Sequence, residues 1–154
     1  METEQVQVQK EEKVVKQKAK PKKSKTFQGT GKRKTAIAKA TLYPEGKGVV
    51  RINSLLLNSV EPAVLREFMK EPLIIVSDVA KTVDIDVTTS GGGFSGQAAA
   101  SRLAIARALV NYDKKLKKNF TTYDKFLLVA DTRFKEERKP NDSKARANRQ
   151  SSKR

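Results

Sequence analysis

Cysteine and histidine are both missing from this 154-residue chain, and no long uninterrupted apolar run occurs anywhere in it. Without cysteine there are no disulfides and no thiolate chemistry. Without histidine there is no imidazole base, and zinc ligation by either residue is excluded. Mechanisms built on carboxylates or lysine survive this test. No stretch approaches the roughly 20 apolar residues that a membrane-spanning helix needs. The opening METEQVQVQKEEKVVKQ lacks the apolar block of a secretory signal, so the chain is expected in the cytoplasm, with no membrane partner.

What the chain has in abundance is positive charge. The net charge is +16, with 37% hydrophobic and 32% charged residues, so part of the length is expected to lie outside any packed core. Residues 1–28 hold eight Lys and four Glu; residues 29–43 hold Lys32, Arg33, Lys34 and Lys39 with no acid. Residues 135–154 hold eight basic groups against Glu136, Glu137 and Asp142. Residues 44–134, with thirteen basic and ten acidic groups, are close to neutral. A near-neutral body with basic ends reads as a packed module reaching into a polyanion, because two basic tails without a partner would only repel each other. On this pattern Lys32, Arg33, Lys34 and Lys39 are candidate phosphate ligands. So, in the tail, are Lys135, Arg138, Lys139, Lys144, Arg146 and Arg149.

Residues 1–28 have few large apolar groups and are expected to be a disordered basic arm. The runs KTAIAKATLY and VVRIN, joined by PEGKG, read as a hairpin. EPAVLREFMKEP reads as a short helix with Pro62 in its first turn, Val64, Leu65, Phe68 and Met69 on one face, and Pro72 ending it. Val83, Ile85 and Val87 alternate with polar residues, the mark of a strand with one buried and one wet face. A helix over 97–112 supplies the core, with stripes of Leu103, Ala106, Val110 and of Ile105, Leu109, Tyr112. Its alanines permit close approach to a sheet. Arg107 and Asn111 form its polar arc, while Arg102 falls beside the apolar stripes and must find an anion or reach solvent. DKKLKKNF reads as a short basic helix capped by Asp113, and KFLLVADTRF as a last strand-like run. The fold expected is α+β: a two-layer sandwich, a small mixed β-sheet with helices on one face. The globular domain spans 29–134, and 135–154 form an extended basic tail.

SGGGFSGQ, residues 90–97, satisfies G-x-G-x-x-G from Gly91 and lies between a strand and a helix. A dinucleotide site would also need a strand buried on both faces and an acid ending a second strand about 20 residues on. Asp84 and Asp86 line the first strand, and Asp113 follows a helix, so a nucleotide-binding enzyme is the weaker reading. The same glycines either make a tight strand-to-helix turn at positive φ or expose N–H groups as an anion site at a helix N-terminus. Glu61, Glu67 and Glu71 look like caps and surface charge, the serines have no base, and GTGKRKT lacks P-loop spacing. No catalytic constellation and no cofactor emerges, and the chain is expected not to be an enzyme.

Three stretches stand in one order: GTGKRKTAIAKATL (29–42), GGGFSGQAAASRLAIARALV (91–110) and a basic tail ending SKR. Together they resemble the small-subunit ribosomal protein S-nine family over residues 29–154. TVDIDV, EPLII and YDKFLLVADTR are nearer its archaeal and eukaryotic branch. The resemblance implies the two-layer fold of the second domain of ribosomal protein S-five. It also implies a place in the head of the small ribosomal subunit, with rRNA and neighbouring head proteins as partners and the C-terminal tail reaching toward peptidyl-site tRNA. It carries Lys32, Arg33 and Lys34 onto the family's basic motif, and Gly91, Gly92, Gly93, Gly96 and Gln97 onto its loop. Arg102 and Arg107 fall on its helix, and Lys153 and Arg154 on the tRNA-proximal end. Two departures stand out: Ser151-Ser152-Lys153-Arg154 replaces an end with Tyr before the last Arg, and Phe134 replaces a usually basic residue. On this reading SGGGFSGQ is a strand-to-helix turn with an rRNA phosphate as its candidate ligand. A free-standing RNA or DNA chaperone is the alternative within the same class.

Overall fold

A computed structural model describes residues 25–138, 140, 145 and 146. The first strand, β1 (Phe27–Arg33), and β2 (Ala36–Tyr43) form an antiparallel hairpin, in register from Phe27↔Leu42 to Arg33↔Ala36. The chain therefore enters the sheet at Phe27. Next come β3 (Val50–Ile52), β4 (Leu55–Leu56), a single 3₁₀ turn (Leu57–Ser59), α1 (Ala63–Ile75), α2 (Ser77–Ala80) and β5 (Asp84–Ser90). The long α3 (Phe94–Tyr112), α4 (Leu116–Tyr123) and a 3₁₀ turn (Lys125–Leu127) complete the described elements. The five strands form one mixed sheet in the order β1-β2-β5-β3-β4, with β3 and β5 parallel and the other pairs antiparallel. Helices α1 and α3 cover one face. The α+β two-layer architecture expected from the sequence is what the chain adopts.

Period-two alternation decides which face is buried. Ala36, Ala38, Ala40 and Leu42 of β2 and Ile85 and Val87 of β5 point into the core, while Ile37, Lys39 and Tyr43 face outward. The buried stripe of α3 lies on them through Ala100, Ala104, Ile105, Ala108 and Leu109, all at 0% exposure. Small residues on both layers bring the helix unusually close to β1. A methyl placed on Gly31 would stand 2.0 Å from the Ala100 carbonyl oxygen, and one on Gly29 2.3 Å from that of Ala104. The glycines of GTG are therefore a seat for a helix.

The expected hairpin between 34–43 and 49–53 does not form. Strand β2 pairs instead with all seven residues of β5, from Ile37↔Ser90 to Tyr43↔Asp84, a longer ladder than three-residue β3 could offer. The 44–49 loop crosses the end of β5 so that β3 lies parallel beside it. Asp84 holds that crossing: its Oδ1 accepts Lys47 N at 2.8 Å and Val49 N at 2.9 Å. These two amides, Val49 first, hold its carboxyl below the ordinary carboxylate value, with Arg51 helping.

Three smaller expectations also change. Pro72 does not end α1 but lies inside it, fully buried. The interior proline forfeits a hydrogen bond at a cost of about 3 kcal/mol, offset here by burying Pro72 and packing Leu73 and Ile75 on the core. Val64 does not join the apolar face of Leu65, Phe68 and Met69, but is 77% exposed. The run KFLLVADTRF is not a strand. Asp124 Oδ1 accepts Phe126 N at 2.9 Å, which starts a 3₁₀ turn that buries Leu127. Asp113 does not cap α4 as expected: the N-cap is Lys115, without a side-chain cap bond, and Asp113 Oδ1 instead accepts Lys115 N at 2.9 Å in the turn before the helix.

Candidate nucleic-acid interface

Two motifs nearly 60 residues apart in the chain meet at one end of the sheet. The β1–β2 turn, Lys34-Thr35, has Lys34 at φ +53°, in the left-handed region where a side chain costs about 1–2 kcal/mol. The glycine loop lies against this turn, with Gly91 at φ +71° and Gly92 at φ +67°. A methyl on Gly91 would meet Thr35 O at 2.8 Å, and one on Gly92 would meet Ala36 N at 3.0 Å. The backbone demand for glycine is thus at Gly91 and Gly92. Gly93, at φ −105° with nothing within 4 Å of an added methyl, and Gly96, inside α3 without a positive φ and with ordinary contact at 3.4 Å, are free of it, which corrects the expectation that all four glycines of the loop share the constraint.

Gly93 is also the N-cap of α3, which has no side-chain cap. The first-turn amides of a helix have no intrahelical acceptor and carry the positive end of its dipole. Here they open beside exposed Lys34 and half-covered Arg33, on a surface that also includes Phe94, 73% exposed. The arrangement can receive a phosphate without a cofactor fold. Strand β5 runs antiparallel to β2 and its outer face is uncovered, so the doubly wound parallel sheet of a dinucleotide site is absent.

Gln97 works behind this surface. Its Nε2 donates to Gly91 O at 3.1 Å. Beside it, Asn53 Oδ1 accepts Thr89 N and Asn53 Nδ2 donates to Thr89 Oγ1, each at 2.8 Å. This ties the β3–β4 turn to the end of β5. Sequence reasoning did not single out Asn53. Its signal was the Asn53-Ser54 pair, a turn signature between two apolar runs that here adopts φ +47° and +71°.

The helix arginines are engaged inside the protein. Arg102 pairs with Glu71 and with Asp124, the latter at 3.2 Å, and stacks 4.6 Å over the Phe68 ring. The anion it had to find is a pair of carboxylates. Arg107 donates to Leu128 O at 3.1 and 3.0 Å and to Thr30 O at 2.8 Å. Asn111 Nδ2 donates to Gln28 O at 2.7 Å. The polar arc of α3 therefore satisfies carbonyls on the open edge of β1, which would otherwise template pairing with another chain.

The remaining candidates divide. Lys34 and Lys39 are exposed, Lys39 lying opposite Thr30 and Thr88 on the wet face of the sheet. Lys32 sits 4.6 Å over the Phe134 ring, and Arg33 is paired with Asp131. Lys135 and Arg138 are exposed, and Arg146 Nε donates to Glu136 Oε2 at 2.7 Å. Lys139, Lys144, Arg149, Lys153 and Arg154 lie outside the described residues, as do residues 1–24 of the expected N-terminal arm. Among the described residues no group of three or more carboxylates could hold a metal ion, and no helix is long and apolar enough to cross a membrane.

The family profile described as Ribosomal protein S9/S16 matches residues 31–154. The Small ribosomal subunit protein uS9 of Methanothrix thermoacetophila is 46% identical over 130 residues, covering 83% of this chain and 98% of that protein. The protein of the same name from Thermoplasma acidophilum is 48% identical over 125 residues, 80% of this chain and 96% of its own. That of Pyrobaculum aerophilum is 46% identical over 122 residues, 78% of this chain and 85% of its own. A basic α+β domain with these relatives falls in the class of ribosomal proteins, structural components rather than enzymes. Within that class, the chain belongs to the ribosomal protein S9/S16 family and is archaeal-like in its similarities.

Proposed function

We propose that this protein is a structural constituent of the small ribosomal subunit. It binds rRNA in the subunit head, in the cytoplasm, and its C-terminal tail reaches toward peptidyl-site tRNA. The observation that carries the rRNA reading is the meeting of the basic β1–β2 turn with the glycine loop at the N-terminus of α3. Exposed Lys34 and Lys39, with the first-turn amides of α3, take phosphates; Gln97, Arg102 and Arg107 hold the parts in place. Such contacts fix position on RNA without reading sequence. The segment after Leu128 runs beside β1, so the tail departs from the same end as the basic turn.

Cosedimentation tests the assignment: on a sucrose gradient the protein is expected with the small subunit, whereas a free-standing chaperone stays at the top. The tail has its own test. Residues 135–154 contain no large apolar residue with which to pack, and fully extended could reach about 66–72 Å. Deleting Gln150–Arg154 is expected to preserve incorporation and weaken tRNA binding at the peptidyl site. The loss is at most about 1.5–3 kcal/mol for each charge-assisted contact. Filter binding of tRNA to subunits carrying either form reads it; unchanged affinity would reduce the tail to an rRNA anchor.

A further inference from the structure

The segment from Leu128 to Phe134 is pinned to the end of the molecule that carries the basic turn. Arg107 holds Leu128 O, Arg33 pairs with Asp131, and the Phe134 ring lies under Lys32 Nζ. Arg133 also grips Asp131, with Nε to Oδ1 at 3.0 Å and Nη2 to Oδ2 at 2.9 Å. The Asp131 side chain is 13% exposed, against 34% for Arg33 and 80% for Arg133. One largely covered carboxylate thus lies between a guanidinium of the RNA-facing turn and a solvated one.

We propose that Asp131 is a specificity-determining residue: a built-in phosphate mimic that keeps Arg33 from RNA phosphates that do not fit. The inference rests on the rRNA-binding reading above. A carboxylate and a phosphate offer a guanidinium the same charge-assisted hydrogen bonds. A phosphate arriving at Arg33 must therefore displace a bond of its own kind and gains little by doing so. A disordered polyanion, touching Arg33 alone, does not recover that cost. A folded RNA that also places phosphates at Lys34 and at the amides of α3 does recover it, because its other contacts hold the phosphate in register. Arg133 completes the device: when Arg33 turns to RNA, Asp131 keeps a bidentate partner and is not left bare. Phe134 holds Lys32 in the same segment, with no carboxylate involved.

The test compares full-length wild type with Asp131→Asn, which keeps shape and removes charge, on two probes across a salt series. The probes are poly(U) and the isolated rRNA of the subunit head. Poly(U) binding is expected to tighten about 3- to 10-fold at low salt. Its log K against log salt should steepen by roughly 0.7 for each freed guanidinium that finds a phosphate. Head rRNA binding is expected to change less than about 2-fold, so the ratio between the probes falls. Asp131→Glu, which restores the carboxylate, is expected to return the poly(U) behaviour to that of wild type. Glu45→Gln makes the same change in net charge at the opposite end of the sheet, and equal tightening by that variant overturns the proposal. So does an unchanged poly(U) slope in Asp131→Asn. Should Asp131→Asn melt early, Arg33→Gln supplies the second reading: with Arg33 held by Asp131 its loss is expected to leave the poly(U) slope unchanged, and a fall in that slope of about 0.7 overturns the proposal. A wild type that binds neither RNA in a salt-dependent way refutes the RNA reading itself, which is a different result.

Discussion

Replacing Gly31 with alanine is expected to be among the most damaging single-methyl changes this fold can suffer. The added Cβ would lie 2.0 Å from Ala100 O and 2.8 Å from Ala104 N, both backbone atoms of α3. No rotamer relieves a clash with backbone, so relief requires the 19-residue helix to lift from β1 by about an ångström. A gap of that size forfeits a quarter to a half of the dispersion well for each separated atom pair, along a contact that includes Gly29, Ala104 and Ala108. One effect opposes the loss. Alanine reduces unfolded-state entropy, worth about 0.4–1 kcal/mol, whereas overpacking of a tight interior costs about 1–3 kcal/mol and sometimes more. With a whole helix displaced, the upper part of that range applies, and the net destabilisation expected is about 2–3 kcal/mol. That corresponds to a fall in Tm on the order of 10–20 °C. Urea and thermal melts of the full chain followed by circular dichroism measure it, with Gly93→Ala as the control because nothing lies within 4 Å there. If Gly31→Ala melts within a few degrees of wild type, or if Gly93→Ala loses as much, the close helix seat is not what those glycines are for.

Gly91→Ala is expected to cost about 1–3 kcal/mol, since it combines φ +71° with a contact at 2.8 Å to Thr35 O; urea midpoints against Gly93→Ala, expected within about 0.5 kcal/mol of wild type, check it. Asp84→Asn should lower stability at neutral pH by loosening the 44–49 crossing. Because Asp84 is held below its ordinary value in the folded state, its contribution is complete above the unfolded carboxylate range and is lost as pH falls through the folded value. The gap between wild type and Asp84→Asn should therefore narrow on acidification, and a gap that does not shrink as pH falls below the ordinary carboxylate range contradicts the assignment. Arg102→Met leaves Glu71 and Asp124 facing each other without their shared cation; a loss of about 2–3 kcal/mol is expected, and Arg102→Lys should recover only part of it, having no planar fork. Chemical denaturation of the two variants side by side decides this.

Local pattern made much of this molecule legible before any coordinates. The alternation of Val83, Ile85 and Val87 fixed a strand with one buried face, and the spacing of Leu103, Ala106, Ile105 and Leu109 fixed the central helix, because periods of 2 and 3.6 residues are properties of the backbone itself. The charge map located the basic ends for the same reason: it is a property of composition along the chain. What the sequence could not carry was partnership. Nothing in AIAKATLY says that its neighbour is β5 and not β3, since ladder hydrogen bonds are blind to sequence and the choice was made by ladder length and by Asp84 holding the crossing. The same holds for the basic residues. Lys34 and Arg102 look alike as cations in a basic chain, yet one stands at an exposed turn and the other is enclosed by Glu71, Asp124 and Phe68. An ion pair between residues far apart in the chain exists only once packing has paid the entropy of bringing them together, so the division between basic side chains that hold the fold and those left at the surface belongs to the tertiary structure alone.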